Sequence, residues 1–231
     1  MRLIRFLALV LAWQVAATVA EAEELRFALN EDPRDELTFT SRAPLESITG
    51  RASKIRGSIT IPNPAELLGA SVDAWFEVDL TTIDTGIALR NEHMRGRFLE
   101  TSTYPTATLK LNEVTSAVVA DDTRPDGVRS VDALELGVPT RVSAHGSFRL
   151  HGQEREIVLE DLTITHVDES ESTRGVRPGS LLSIEGSFVL RLGDYNIERP
   201  RGLIMRLSDK VLIKFHMMAA TGIPTPSPID Q

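Results

Sequence analysis

The sequence predicts an all-β protein whose antiparallel strands close into an up-and-down barrel of about eight strands, with one or two short helices in its connections. Apolar and polar residues alternate strictly in many segments, which is typical of sheet with one apolar and one solvated face. Three of the apolar faces carry a glycine in mid-strand, at Gly57, Gly146 and Gly186. Such glycines mark bends or close backbone approach, so their recurrence favours a barrel. An open β-sandwich is the alternative that the periodicity leaves open.

The N-terminal residues 1–22 have the pattern of a signal peptide. Arg2 and Arg5 precede an apolar run, FLALVLAWQVAATVA, and the last residue of this run begins the small-residue end AEA at positions 20–22. An uncleaved N-terminal anchor is the alternative. No Cys follows the run, which excludes lipoprotein anchoring. No later segment approaches the ~20 apolar residues of a membrane helix, so no membrane span is expected after cleavage.

Composition excludes several classes of function. The chain has 33 acidic against 25 basic side chains, a formal charge of −8, so nucleic acid is not expected as a partner. It contains no cysteine, which removes disulfides, thiolate metal sites and thiol catalysis. The length fits one domain with its own core.

The strand segments follow one another along the whole chain. In order they read LRFAL, ELTFT, KIRGSITI, VDAWFEVDL, TLKLNEV, VSAHGSFRL, LLSIEGSFVL and VLIKFHM. The residues predicted to face the barrel interior are Phe27, Phe39, Ile59, Phe76, Val78, Phe148, Phe188 and Phe215. These side chains either fill a packed core or surround one apolar ligand. The three glycines carry no side chain and so leave less side-chain volume inside the barrel, which favours a cavity.

The connections hold the remaining elements. PNPAELLGA predicts about two helical turns after the Asn63-Pro64 cap signal, and a second helix is predicted between Arg90 and Glu100. Residues 120–130 and 168–180 are charged, contain Gly and Pro, and are predicted loops. The Pro-rich residues 219–231 are predicted to be an extended, flexible tail.

The predicted helix between strands carries an unusual number of cations. Arg90, Arg95 and Arg97 form a group that could bind a phosphate or carboxylate, since guanidinium binds such groups bidentately. The alternative is a solvated helix face with local ion pairs worth under ~1 kcal/mol each. The five histidines form no H-x-x-x-H pair, so neither a metal site nor a catalytic site is expected.

One long segment resembles the signature of the YceI-like family of exported lipid-binding proteins. Its elements are Thr85-Gly86, then Arg90-Asn91-Glu92-His93-Met94, then Phe98-Leu99, then the stretch from Tyr104 to Leu109. GSFRLHGQEREIVL, LGDYNIERP and IRGSITI resemble further family segments. The chain departs from the pattern at Asn91, where the family usually has Asp, and at Asn196 and Leu109.

The resemblance implies a lipocalin-like barrel over residues 23–218 that holds a long isoprenoid, quinone or related lipid. It implies the periplasm, often a homodimer, no enzyme activity and no cofactor other than the bound lipid. The interior residues given above would contact this ligand. Mouth and headgroup contacts are expected from Arg90, His93, Met94, Arg95, Phe98, Leu99 and Tyr195, with Phe98 and Leu99 gating the opening.

Two other functions are consistent with the sequence. Trp75, beside Asp73 and Glu77 on an outer strand face, is a candidate anchor for a protein-interaction module with a packed core. A hydrolase of lipid-like esters would need a Ser and a carboxylate near His93.

Overall fold

The computed structural model describes residues 24–43, 46–69, 71–198 and 208–227. The predicted signal peptide lies outside these residues. The ten strands are β1 Leu25–Leu29, β2 Glu36–Ala43, β3 Glu46–Ile61, β4 Ser71–Asp84, β5 Thr106–Ala120, β6 Val128–Ser130, β7 Thr140–Leu150, β8 Gln153–Val167, β9 Leu181–Arg191 and β10 Lys210–Ala220. The helical elements are α1 Ala88–His93, a π-helical turn Met94–Phe98, α2 Glu171–Arg174 and a 3-10 turn Leu192–Tyr195. In these parts of the chain no helix is long and apolar enough to cross a membrane.

Eight strands form a closed antiparallel ring, which confirms the predicted barrel. The order around the ring is β10-β2-β3-β4-β5-β7-β8-β9, and β9 pairs with β10 to close it. The closing pair is continuous, from Lys210 opposite Arg191 to Ala220 opposite Leu181. A closed ring leaves no long unpaired edge, so the backbone hydrogen bonds of the wall are satisfied internally.

The two extra strands have simple explanations. β1 pairs with the end of β3, from Leu25 opposite Ile61 to Leu29 opposite Gly57, and touches β10 only at Ala28 opposite Ala220. β1 and β2 therefore pair with successive parts of the same edge of β3 and occupy one strand position in the wall. β6 pairs with the end of β5, so the segment 120–130, predicted as a loop, contains a short strand.

The mid-strand glycines seat the side chains of the neighbouring strand. Gly57 lies opposite Phe76 and Gly186 opposite Phe215 in the strand register. A Cβ at Gly186 would lie 2.6 Å from the Phe215 ring, and one at Gly57 would lie 2.9 Å from the Phe76 ring and closer still to the Trp75 carbonyl. Phenylalanine rings take up the space that these two glycines leave. The expectation that the glycines simply enlarge the interior is therefore wrong at these positions.

One end of the barrel is closed by loops. The segment 62–69 forms turns, not the predicted two-turn helix, because Leu67 inserts into the barrel end and is only 1% exposed. The loop 168–180, which contains α2, is tied down by Arg177, whose guanidinium lies 2.6 Å from the Asp35 carboxylate. Asp35 also accepts a hydrogen bond from the Met218 backbone. Both charges are buried, so this pair fixes the loop over the closed end.

The C-terminal segment begins later than predicted. β10 continues through Ala219 and Ala220, both fully buried. Thr221 and Gly222 then bond to the loop 168–180, through Ser180 and the Pro178 carbonyl.

Candidate functional site

The opposite end of the barrel contains a cavity of about 840 Å³. Its walls are mainly apolar side chains from β2, β3, β4, β5, β7, β9 and β10. The connection between β4 and β5, residues 85–105, lies across the opening, and we call it the mouth segment. Leu192 and Ile197, which follow β9, line the cavity from the other side. The cavity can therefore hold an apolar molecule, with the mouth segment between it and solvent.

The cavity ends at a floor of three side chains. Phe76, Leu109 and Phe215 line both this cavity and a second space of only about 60 Å³ beyond them. Below the floor, side chains such as Ile59 and Leu162 fill the barrel. The interior is thus a cavity near the mouth and a packed core near the closed end. Both sequence-based alternatives for the interior describe part of the molecule.

Most of the predicted interior residues lie against the cavity. Those in its lining are Phe39, Phe76, Val78, Phe148, Phe188 and Phe215. Ile59 lies below the floor, in the packed part. Phe27 is fully buried on β1 and contacts the His166 ring edge-on, with 5.5 Å between ring centroids. It belongs to the core, away from the cavity.

The mouth segment is fixed to the barrel through Asn91. The Asn91 carboxamide oxygen accepts hydrogen bonds from the Thr85 backbone N–H and hydroxyl, at 2.8 and 2.7 Å. Its amide nitrogen donates to the Asp84 carboxylate at 2.9 Å. The hydrogen bond from the Gly86 N–H, and to a lesser extent that from Asn91, holds the pKa of Asp84 below its usual value. An aspartate at position 91 could not donate to Asp84, which gives the departure at Asn91 a physical reason.

The seven predicted mouth residues divide between the cavity and the surrounding structure. Five of them line the cavity: Arg90, His93, Met94, Phe98 and Leu99. Arg95 turns away and donates to the carbonyl oxygens of Asn91 and Thr81. Tyr195 is buried behind the wall, 5.8 Å from the Phe148 ring, and burial raises the pKa of its hydroxyl. These two residues position other groups and do not line the cavity.

Sequence reasoning missed several residues at the mouth. Arg97, which is not among the predicted mouth contacts, lines the cavity with its guanidinium 5.5 Å from the centre of the Phe98 ring. Ile87 and Leu89 also line it, although both side chains are largely exposed. The fourth is Glu198, an acidic side chain in the segment that follows β9. Arg97 follows Arg90 by seven residues and His93 by four, which are spacings of one helix face and could have indicated its place in the lining.

His151 connects three parts of the mouth. Its Nδ1 lies 3.0 Å from the Tyr195 carbonyl oxygen, 44 residues away. Its ring contacts Tyr104 edge-on at 4.7 Å, and its Nε2 lies 3.8 Å from a Glu100 carboxylate oxygen. The hairpin between β7 and β8 therefore supports both sides of the opening.

The chain is similar to a known family and to several solved structures. The family model described as the YceI-like domain matches residues 28–219. A polyisoprenoid-binding domain from Saccharophagus degradans, implicated in plant cell wall breakdown, has a TM-score of 0.60 and 21% identity, covering 84% of this chain and 98% of that one. Burkholderia cenocepacia BcnA has a TM-score of 0.57 and 16% identity, covering 83% and 100%. A Campylobacter jejuni YceI protein has a TM-score of 0.52 and 14% identity, covering 77% and 86%. A search of curated proteins finds no match.

Proposed function

Because this chain belongs to the YceI-like family, we propose that it binds a long polyisoprenoid, quinone or similar lipid in the barrel cavity. It would carry or sequester this molecule without chemically changing it. The observation that carries the proposal is the apolar cavity of about 840 Å³ behind the mouth segment. That volume lies toward the upper end of the roughly 300–1,000 Å³ range of ligand pockets. The Saccharophagus degradans domain, described as polyisoprenoid-binding, adds support through its fold.

Burial of hydrocarbon supplies the driving force. Each methylene group removed from water contributes about 0.8 kcal/mol, so ten of them contribute about 8 kcal/mol before the cost of association. Phe39, Phe148 and Phe188 would contact the chain along the wall, and Phe76 and Phe215 would meet its end. A chain longer than the cavity would extend past Phe98 and Leu99 to the surface.

We place this activity outside the cytoplasm, in the periplasm. The support is the pattern of residues 1–22 and the resemblance to an exported family. A molecule with a long hydrocarbon chain needs shelter from water wherever it leaves a membrane. A binding protein without disulfides, stabilised by a closed barrel, is suited to that task. The proposal includes no catalytic step and no cofactor.

Native mass spectrometry of the protein purified from a periplasmic extract, followed by solvent extraction, tests the proposal. A discrete added mass that matches a polyprenyl or quinone lipid is the expected result. Titration with a polyisoprenoid then measures affinity for wild type and for two matched variants of adjacent residues on β5. Ala107→Phe fills the cavity, whereas Thr108→Phe changes the outer face. Loss of binding in A107F alone supports the cavity site.

Two results would contradict the proposal. One is an apo mass together with no binding in titration. The other is equal binding by A107F and wild type, which would place the lipid elsewhere. Unfolding curves for both variants show whether each is folded. We expect A107F to fold, because a phenylalanine that enters an existing cavity needs no displacement of the backbone.

A further inference from the structure

We propose that the mouth segment docks on bilayers that contain anionic phospholipids. Ile87 and Leu89 would enter the apolar region, and the arginines of the segment would face the headgroups. This surface goes beyond the proposed cargo binding, and only its purpose, exchange of cargo with a membrane, rests on that function.

The first observation is an exposed apolar pair at the opening. Ile87 is 51% exposed and Leu89 is 61% exposed. Both side chains also line the cavity, so apolar surface continues from the cavity wall to the outside of the molecule. The other large exposed apolar residues within the described ranges, Leu136, Val158 and Val189, lie on separate elements. Ile87 and Leu89 are thus the pair at which a hydrocarbon chain would meet a membrane.

The second observation is positive charge on the same segment. Between positions 87 and 98 the chain has Arg90, Arg95 and Arg97 but a single acidic residue, Glu92, in a protein whose formal charge is −8. Arg90 donates to the hydroxyl and carbonyl oxygens of Thr85. Arg95 likewise donates to carbonyl oxygens, and Arg97 lies over a ring. In the part of the chain that the structure describes, none of the three guanidiniums has a carboxylate partner, so the positive charge of the segment is not neutralised locally and attracts anionic headgroups.

The neighbouring acidic groups are mostly occupied elsewhere. Asp84 accepts from Gly86 and Asn91 and lies 3.5 Å from Arg51. Glu100 lies 3.8 Å from His151, on the side of the β7–β8 hairpin. Glu198 also lines the cavity, but it belongs to the segment after β9 and not to the mouth segment. The mouth segment is therefore a basic patch on an acidic protein.

A bilayer matches both observations together. Exposed isoleucine and leucine beside arginine form the pattern of an interfacial segment, with apolar residues below the headgroups and cations among them. Each arginine near an anionic surface improves binding about fivefold, and the effect falls with added salt. The bound orientation would place the cavity opening against the membrane, so a hydrocarbon chain could transfer without crossing water.

Vesicle flotation tests the proposal directly. The protein is mixed with phosphatidylcholine vesicles that contain phosphatidylglycerol, or with pure phosphatidylcholine vesicles, at low and high salt. We expect binding to the anionic vesicles that high salt weakens, and little binding to the neutral ones. Ile87→Ser with Leu89→Ser should reduce binding at least about tenfold, and Arg97→Gln about fivefold.

A matched control uses exposed apolar residues far from the mouth. Leu136→Ser with Val158→Ser removes two side chains that are 54% and 51% exposed and should leave vesicle binding unchanged. Equal loss in this control, equal binding to neutral and anionic vesicles, or no binding by wild type would overturn the proposal. Cargo titration without vesicles is measured separately, so failure to dock is distinguished from failure to bind lipid.

Discussion

The seat of the Phe39 ring gives a prediction that connects the barrel wall to the cavity. Phe39 on β2 lies directly opposite Gly50 on β3. A Cβ added at Gly50 would clash with the Phe39 ring, with Cε1 at 2.7 Å and Cζ closer still, and would lie 2.9 Å from the Thr85 methyl carbon. All of these atoms belong to side chains, so Gly50→Ala should push the ring off the wall and into the cavity. Overpacking of this kind costs about 1–3 kcal/mol of unfolding free energy.

A double-mutant cycle isolates this contact. In the background of Phe39→Ala only the Thr85 contact remains, so Gly50→Ala should then cost less than about 1 kcal/mol, which implies a coupling of about 1–2 kcal/mol. The displaced ring also occupies ligand space. Polyisoprenoid affinity should therefore fall in G50A and recover in the double variant.

Urea unfolding of wild type, both single variants and the double variant measures the cycle. Gly96→Ala is the control, because a Cβ there meets no atom within 4 Å, and it should be neutral or stabilising by up to about 1 kcal/mol. An equal cost of Gly50→Ala with and without the Phe39 ring would refute the reasoning, since the clash would then lie in the backbone.

Three further predictions concern the closed end and the gate. Arg177→Met leaves the Asp35 carboxylate buried without its partner and should cost about 3–5 kcal/mol in urea unfolding, part of which Asp35→Asn restores in the double variant. Burial lowers the pKa of His166 in the folded protein below its usual value of 6.5. As the pH falls through 6.5, the unfolded chain therefore binds a proton at this histidine before the folded protein does, and the free energy of unfolding decreases. His166→Phe should flatten this part of the stability–pH curve, and an unchanged slope would show that other groups produce it. Phe98→Ala with Leu99→Ala should weaken lipid binding more than folding, measured by titration and unfolding, whereas lost stability with unchanged binding would exclude a gate.

The alternation of residues predicted the antiparallel strands and most of the interior side chains, whereas the choice of a barrel over a sandwich came from the mid-strand glycines and the family resemblance. Phe39, Phe148 and Phe188 face inward because every second side chain of a strand lies on the same face. The number of strands in the ring was harder to predict from the sequence. β1 and β2 occupy one strand position in the wall, and only their pairing with β3 and β10 shows this.

The mouth was harder to predict for a local reason. The Leu99 N–H bonds to the Met94 carbonyl, five residues back, so the chain rotates less per residue than in an α-helix. Positions after Met94 therefore depart from α-helical spacing, so the orientation of Arg95, which was expected at the mouth, could not be taken from that spacing. No sequence pattern predicted that Glu198 lines the cavity, because its position depends on the turn that follows β9.

Under the proposed function, the glycine-seated floor would limit the length of hydrocarbon chain that the cavity accepts. Phe76 and Phe215 set its depth, and each ring is held in place by the glycine opposite it, Gly57 or Gly186. The side chain that stops the ligand and the position that seats that side chain are on different strands. Exchange of one glycine–aromatic pair would therefore change the depth of the cavity without requiring a change in strand register.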